Sequence, residues 1–325
     1  MRVYKAFLVV VLMFLCLSGL AAICSAQQPD PTQGAAAAPP AAGRGAAVGR
    51  GGLPLVVHPI SNAIYWVFGP ATSNNSNSGI IVGRTGVILF DTKNTVEDEK
   101  TVLAEVANIT NKPVTTVVIS HNDGDHVNGL PVLPKGVTII STAYCKKAMQ
   151  DAIARGGRGA PDPDYLPTKT FDTKESLTVD GVHLQLLHFA PAHTGGDTIL
   201  YLPDQKIVFM GDIVITEQPL PIMHMDNGGS PQGIVDSIRG MLALNADTYV
   251  SGHGPTCTKA ELEQRLKTYE DRIVKVKALV TQGKSLAEVK ETLGEPVPPP
   301  TPAGGRGGGG LGGFTDNIYM ELTRK

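Results

Sequence analysis

Six consecutive residues, His121-Asn122-Asp123-Gly124-Asp125-His126, follow directly on a strand-like run at 113–120 (PVTTVVIS). Four side chains able to ligate a metal therefore crowd one loop at a strand end. Groups of this kind are inexpensive when scattered over a surface. Packed together they repel and desolvate one another unless a cation holds them. Gly124 allows a tight backbone turn, so that neighbouring side chains converge. Three further ligand types each follow a strand-like run of their own: His193 (PAHTGGD) after HLQLLHFA, Asp212 (MGD) after QKIVF, and His253 (SGHGP) after DTYV. Loops at the ends of stacked sheets can meet at one edge and pool residues distant in sequence.

The order H-x-D-x-D-H, then H, D and H, resembles the metallo-β-lactamase superfamily, whose usual first motif is H-x-H-x-D-H. Three flanking segments extend the likeness: SNSGIIVGRTGVILFDT, HTGGDTILYLPDQKIVFMGD and SGHGP, within roughly residues 55–282. The resemblance implies a four-layer αββα sandwich of two mixed β-sheets; the element pattern by itself says only mixed α/β. It also implies a binuclear metal site. His121, Asp123 and His193 would bind one cation, Asp125, His126 and His253 the other, and Asp212 would bridge them. A water between the cations would ionise near neutral pH and attack a carbonyl carbon as metal-bound hydroxide, with Asp125 orienting it. The implied activity is hydrolysis of an amide, lactam, ester or lactone. β-Lactams are a separate question, because class B β-lactamases usually keep three histidines on the first metal.

Asp123 departs from the family pattern. Its δ-oxygen lies as many bonds from Cα as the histidine δ-nitrogen it replaces, so the reach is kept while the ligand becomes harder and charged. The less positive site should acidify water less and accept iron or manganese more readily. Zinc is the expected pair of divalent ions, with iron or manganese the alternatives. An Asp123 that only hydrogen-bonds a ligand, or is solvated, is the other reading of that residue. For the whole chain, the alternatives are a di-iron oxidoreductase-like protein and a catalytically inactive metal-binding protein.

Other histidines carry weaker signals. His224, in the loop PLPIMHMDNGGS that follows Asp212, is a candidate substrate contact. His58, His183 and His188 read as packing or surface residues. Trp66 fits either core or rim. Lys135 and Arg158 are candidate holders of a substrate carboxylate, and nothing selects between them.

The ends bound the rest. Residues 1–26 read as an export signal: Arg2 and Lys5, an apolar run at 6–20, then Cys24-Ser25-Ala26 for cleavage. An uncleaved anchor is the alternative, but the run is short for a span. A periplasmic or secreted location follows. Residues 27–53 are Ala, Gly and Pro with little to bury and read as a disordered leader. The catalytic domain is expected at 54–293, a Gly/Pro-rich linker at 294–313 and a short docking helix at 314–325. The glycine-rich patch at 155–164 reads as a surface loop and is a candidate lid over the site. Cys145 and Cys257 are expected free and buried. With net charge -2 over 325 residues, nothing suggests nucleic acid or an anionic membrane as partner. A small-molecule substrate is expected and no stable membrane anchor; the sequence is silent on oligomeric state.

Strands are expected at 55–57, 64–68, 79–82, 87–90, 137–140, 183–189, 198–201, 207–210 and 248–250. Helices are expected from 94 to about 108 with Glu97 returning a cap, across 143–153, from Ser230-Pro231 to about 244, from Thr258 to about 279, and from Ser285.

Overall fold

In the computed structural model the described residues are 55–69, 76–157, 160–297 and 313–324. The expected export signal, the leader, most of the 294–313 linker and Arg158 lie outside them.

Two sheets form the centre. The first has seven strands in sequential order: β1 (Val56–Ser61), β2 (Ile64–Phe68), β3 (Ser78–Val82), β4 (Val87–Phe90), β5 (Val114–Val118), β6 (Thr138–Thr142) and β7 (Lys169–Phe171). It is antiparallel from β1 to β4 and parallel from β4 to β7. The second runs from β8 (Lys174–Val179) through β9 (Val182–Leu187), β10 (Ile199–Leu202), β11 (Ile207–Phe209) and β12 (Thr248–Val250) to β13 (Cys257–Thr258). Only β11 and β12 are parallel neighbours in it.

Strand alternation sorts the apolar residues into three layers. Between the sheets, Ile64, Trp66, Ile88, Phe90 and Val118 meet Leu184, Leu186, Leu200, Phe209 and Val250. Trp66 is therefore core, with His58 stacked on its ring at 4.8 Å. The other face of the first sheet is covered by α1 (Val96–Ile109) and α3 (Ala143–Arg155), through Val102, Val106, Cys145 and Met149. The outer face of the second is covered by α4 (Pro231–Leu242), α5 (Lys259–Thr281), α6 (Leu286–Thr292) and α7 (Phe314–Thr323). The architecture is a four-layer αββα sandwich, as the resemblance implied. Both cysteines are free and buried.

Two local expectations change. The cap of α1 is Thr95, whose side chain accepts from the Asp98 amide, one residue later than an Asn94–Glu97 pairing would put it. The strands β7, β8 and the two-residue β13 have no counterpart in the sequence reading. The β8 strand alternates exposed and half-buried residues, a weak apolar signal, and turns into β9 through Asp180 and Gly181 at φ 49° and 80°.

Strand direction places the site. The strands β4, β5 and β6 are parallel, so Asp91, His121 and Thr142 leave the first sheet at one edge. In the second sheet β9, β11 and β12 run the same way, because β10 is antiparallel to both β9 and β11. His193, Asp212 and His253 thus also leave at one edge. The Thr198 amide donates to the Ser120 carbonyl at 2.7 Å, tying the two edges together.

Candidate metal centre

Three histidines of the cluster are aimed by the ring nitrogen turned away from it. His126 Nδ1 lies 2.9 Å from Asp91 Oδ2, and Asp91 Oδ1 accepts from the Ser120 amide at 2.6 Å. His121 Nδ1 lies 2.8 Å from Ser120 Oγ. His193 Nδ1 donates to the Ile222 carbonyl at 2.9 Å. A proton fixed on Nδ1 leaves the Nε2 lone pair free to ligate. The one-turn helix α2 (Gly124–Val127) then presents Asp125 and His126 beside His121.

Three sets of ligand atoms gather, each within 4.8 Å: His121, Asp123 and His193; Asp125, His126 and His253; and His121, His126 and Asp212. Asp212 sits between the first two. Its Oδ1 is 3.2 Å from His126 Nε2, while Oδ2 is 3.4 Å from His253 Nε2 and 3.9 Å from His193 Nε2. Asp123 Oδ2 lies 3.1 Å from His193 Nε2 and 3.4 Å from His121 Nε2. Asp125 Oδ2 lies 3.1 Å from His253 Nε2. Glycine makes room at one point: a Cβ on Gly252 would fall 1.9 Å from Asp212 Oδ1.

The donors suit a cation on their own chemistry. His121 Nε2, His126 Nε2 and Asp212 Oδ1 are buried and lack a hydrogen-bond partner, although His126 Nε2 and Asp212 Oδ1 approach closely. Buried polar atoms without partners are rare in folded proteins. Imidazole and carboxylate together match zinc and other first-row divalent ions. The electrostatics agree. Burial alone would raise the Asp123 carboxyl, but His121, His193 and His224 hold it far below its usual range. Burial likewise would raise the Asp212 carboxyl, but His253 and His126 hold it well below its usual range. On the imidazole side, burial disfavours the charged ring, yet neighbouring carboxylates lift His193 to about 9 and His253 to about 10.

The seven residues expected as ligands therefore converge. His224 also reaches the cluster: its Nε2 is 2.8 Å from Asp123 Oδ2. It borders a cavity of about 600 Å³ beside Asp123, whose walls include Tyr144, Lys147 and Arg155 from α3 and Asp226 from the 222–229 loop. Lys135 does not line that cavity; it pairs with Asp164 at 3.0 Å and lies over the Tyr165 ring. His183 pairs with exposed Asp204, and His188 Nδ1 faces the Asp197 carbonyl.

Supporting residues had gone unassigned. Asp91 holds His126 and the Ser120 amide. Asp197 shapes the His193 loop, accepting from the Ala192 and Thr194 amides and from Thr194 Oγ1. Ser76 Oγ reaches the Asp125 carbonyl at 2.7 Å, and Asn77 Nδ2 donates to Ser251 and Gly254 carbonyls on either side of His253. Beneath them the fully buried Lys93 donates from Nζ to the Val67 and Ser76 carbonyls. Burial lowers its pKa to about 8 and raises that of the facing Glu99 to about 7. Asp91 stands in a visible signal, an acid directly after the apolar strand VILF. Lys93 had none, since lysine ordinarily reads as exposed.

The sequence model of one family, described as the metallo-beta-lactamase superfamily, matches residues 71–253. The chain belongs to that superfamily. Among its relatives are the linear primary-alkylsulfatase of Pseudomonas sp. (strain ATCC 19151), 26% identical over 58% of this chain and 43% of that protein, and the 2,4-dinitroanisole O-demethylase subunit alpha of Nocardioides sp. (strain JS1661), 26% identical over 58% of this chain and 56% of that protein. The chain spans about half the length of these two relatives. A solved metallo-beta-lactamase from Pontibacter korlensis shares the superfamily fold with a TM-score of 0.56 at 20% identity, over 66% of this chain and 99% of that one. Superfamily members are hydrolases that typically bind divalent metals, and the histidine and aspartate groups here could hold them.

Proposed function

We propose that this protein is an exported, binuclear metal-dependent hydrolase that cleaves a small-molecule amide, lactam, ester or lactone. One observation carries the reading: two ligand triads flank Asp212, and three of the inward-facing atoms are buried without hydrogen-bond partners. His121, Asp123 and His193 would hold one cation, Asp125, His126 and His253 the other, with Asp212 shared; zinc is the proposed metal. When bound, such a pair supplies Lewis acidity toward the scissile group and a water that ionises near neutral pH. The chain's residues do the remainder. Asp125 keeps an ionised Oδ2 beside His253, low in pKa despite burial because His126 and His253 oppose it, and so stays a charged hydrogen-bond acceptor able to orient the attacking water. Asp91 and Ser120 fix the His121 and His126 rings. The cavity beside Asp123 receives the substrate.

A second reading concerns the bond broken. Relatives named for an alkyl sulfate and for an aryl methyl ether, together with Arg155 in the cavity wall (Lys147 there is paired with Asp151 at 2.7 Å), favour adding an anionic sulfate ester to the carbonyl substrates. The test is a panel of chromogenic lactam, lactone, ester, amide and sulfate-ester substrates offered to zinc-loaded protein and to its Asp125→Ala variant. Turnover of at least one by the parent, lost in the variant, is the expected result. No turnover by fully loaded protein would remove the hydrolase reading.

A further inference from the structure

We infer that His224 is a positioning residue for the first triad, paired with Asp123 rather than with substrate. This inference rests on the reading that the first triad holds a cation. Three histidine nitrogens face Asp123 Oδ2, and the nearest is not in the triad: His224 Nε2 stands at 2.8 Å, against 3.1 Å for His193 and 3.4 Å for His121. An ionised carboxylate only accepts, so His224 Nε2–H is the donor.

The backbone of His224 is held as firmly as that of a ligand. Its amide donates to the His193 carbonyl at 2.8 Å, and its carbonyl accepts from the Asn227 and Gly229 amides at 3.1 and 2.8 Å. The two rings meet edge-on at 5.2 Å. Two residues earlier, the Ile222 carbonyl takes the His193 Nδ1 proton, so one short segment orients both His193 and Asp123. Asn227 Nδ2 adds a bond to Asn122 Oδ1 at 3.1 Å, next to Asp123.

The chemistry explains why position 123 needs such a partner. A histidine ligand is a rigid ring whose direction is set by one further hydrogen bond. An aspartate is shorter, has two equivalent oxygens, and swings between them unless a donor selects one. His224 is that donor, so Asp123 and His224 form a matched pair.

The experiment measures zinc stoichiometry and affinity by competition with a chromophoric chelator, and the absorption spectrum of the cobalt(II)-loaded protein. It compares the parent, His224→Ala, His224→Gln, Asp123→His, and Asp123→His combined with His224→Ala. The parent should take two ions. His224→Ala should keep one tight ion and bind the other about 10–100-fold more weakly, as removal of a ligand's outer partner typically does. His224→Gln, which still offers a donor, should recover most of that loss with an unchanged cobalt spectrum. On the Asp123→His background, removing His224 should change neither affinity. Unaltered zinc binding by His224→Ala, with only KM raised, would overturn the inference in favour of a substrate contact. A changed cobalt spectrum without recovery in His224→Gln would overturn it in favour of a direct ligand. A parent that binds no ion at the first triad would remove the proposed function as well, and is distinguished by that measurement alone.

Discussion

At residue scale the site depends on what is missing as much as on what is present. Gly252 leaves room for the Asp212 carboxylate, and an added Cβ would also lie 2.6 Å from the Gly211 carbonyl carbon. Gly252→Ala is expected to displace Asp212 and lower bound metal relative to the parent without unfolding the protein; metal content and circular dichroism check both halves. Asp125→Asn, which keeps an oxygen but loses the charged acceptor, should lower kcat by about 10²–10⁴-fold. Titration supplies a signed prediction. With the cations removed by chelation, His193 and His253 have pKa values raised to about 9 and 10 by facing carboxylates. The stability they add is full below the unfolded imidazole value of about 6.5 and disappears as pH climbs through the folded values. Cation binding needs those rings neutral. The Tm of chelated protein should therefore fall from about pH 6.5 to pH 10, while the gap between loaded and chelated protein widens; thermal scans across that range measure both. Four of the seven clustered residues were legible in sequence because they crowd one short loop after a strand, whereas His193, Asp212 and His253 stand singly after theirs and were legible through the family resemblance. His224 was legible only as a loop residue near the site. Its contact with Asp123 joins residues 101 apart, which no local pattern encodes.

Elements transmit this order through buried polar groups and caps. The segment between β2 and β3 ends in Ser76 and Asn77, and these neighbours grip the Asp125 and His253 loops respectively. Lys93 holds Ser76 from below. Lys93→Met would leave the buried Val67 and Ser76 carbonyls without their donor, at a cost of about 1–3 kcal/mol for each. Urea unfolding should register it, together with weaker metal binding that a remote core change would not cause. On the far side, α7 buries Phe314 and Ile318 against α5, with Phe314 5.5 Å from the Tyr269 ring. Phe314→Ala should cost about 3–5 kcal/mol and leave metal content untouched. Helices opening on Ser230, Thr258 and Ser285 were readable because each cap is a local bond to a residue three positions on. The same rule misplaced the α1 start by one residue, since Asn94 and Thr95 are both competent caps and tertiary packing selects between them. The β7 and β8 strands escaped because half-exposed edge strands carry little apolar alternation.

Taken as a whole molecule, two sheets present their loops at one edge, and that shared edge is where the ligands meet. Strand direction, not sequence proximity, brings His253 to residues more than a hundred positions earlier. No helix among the described residues is long and apolar enough to cross a membrane. The central claim is that seven side chains hold a pair of cations there. Anomalous diffraction from crystals of zinc-loaded protein, recorded on both sides of the zinc edge, tests it most directly. Two peaks are predicted, one among His121, Asp123 and His193 and one among Asp125, His126 and His253, with Asp212 reaching both. A single peak, or two peaks away from these triads, would contradict the account.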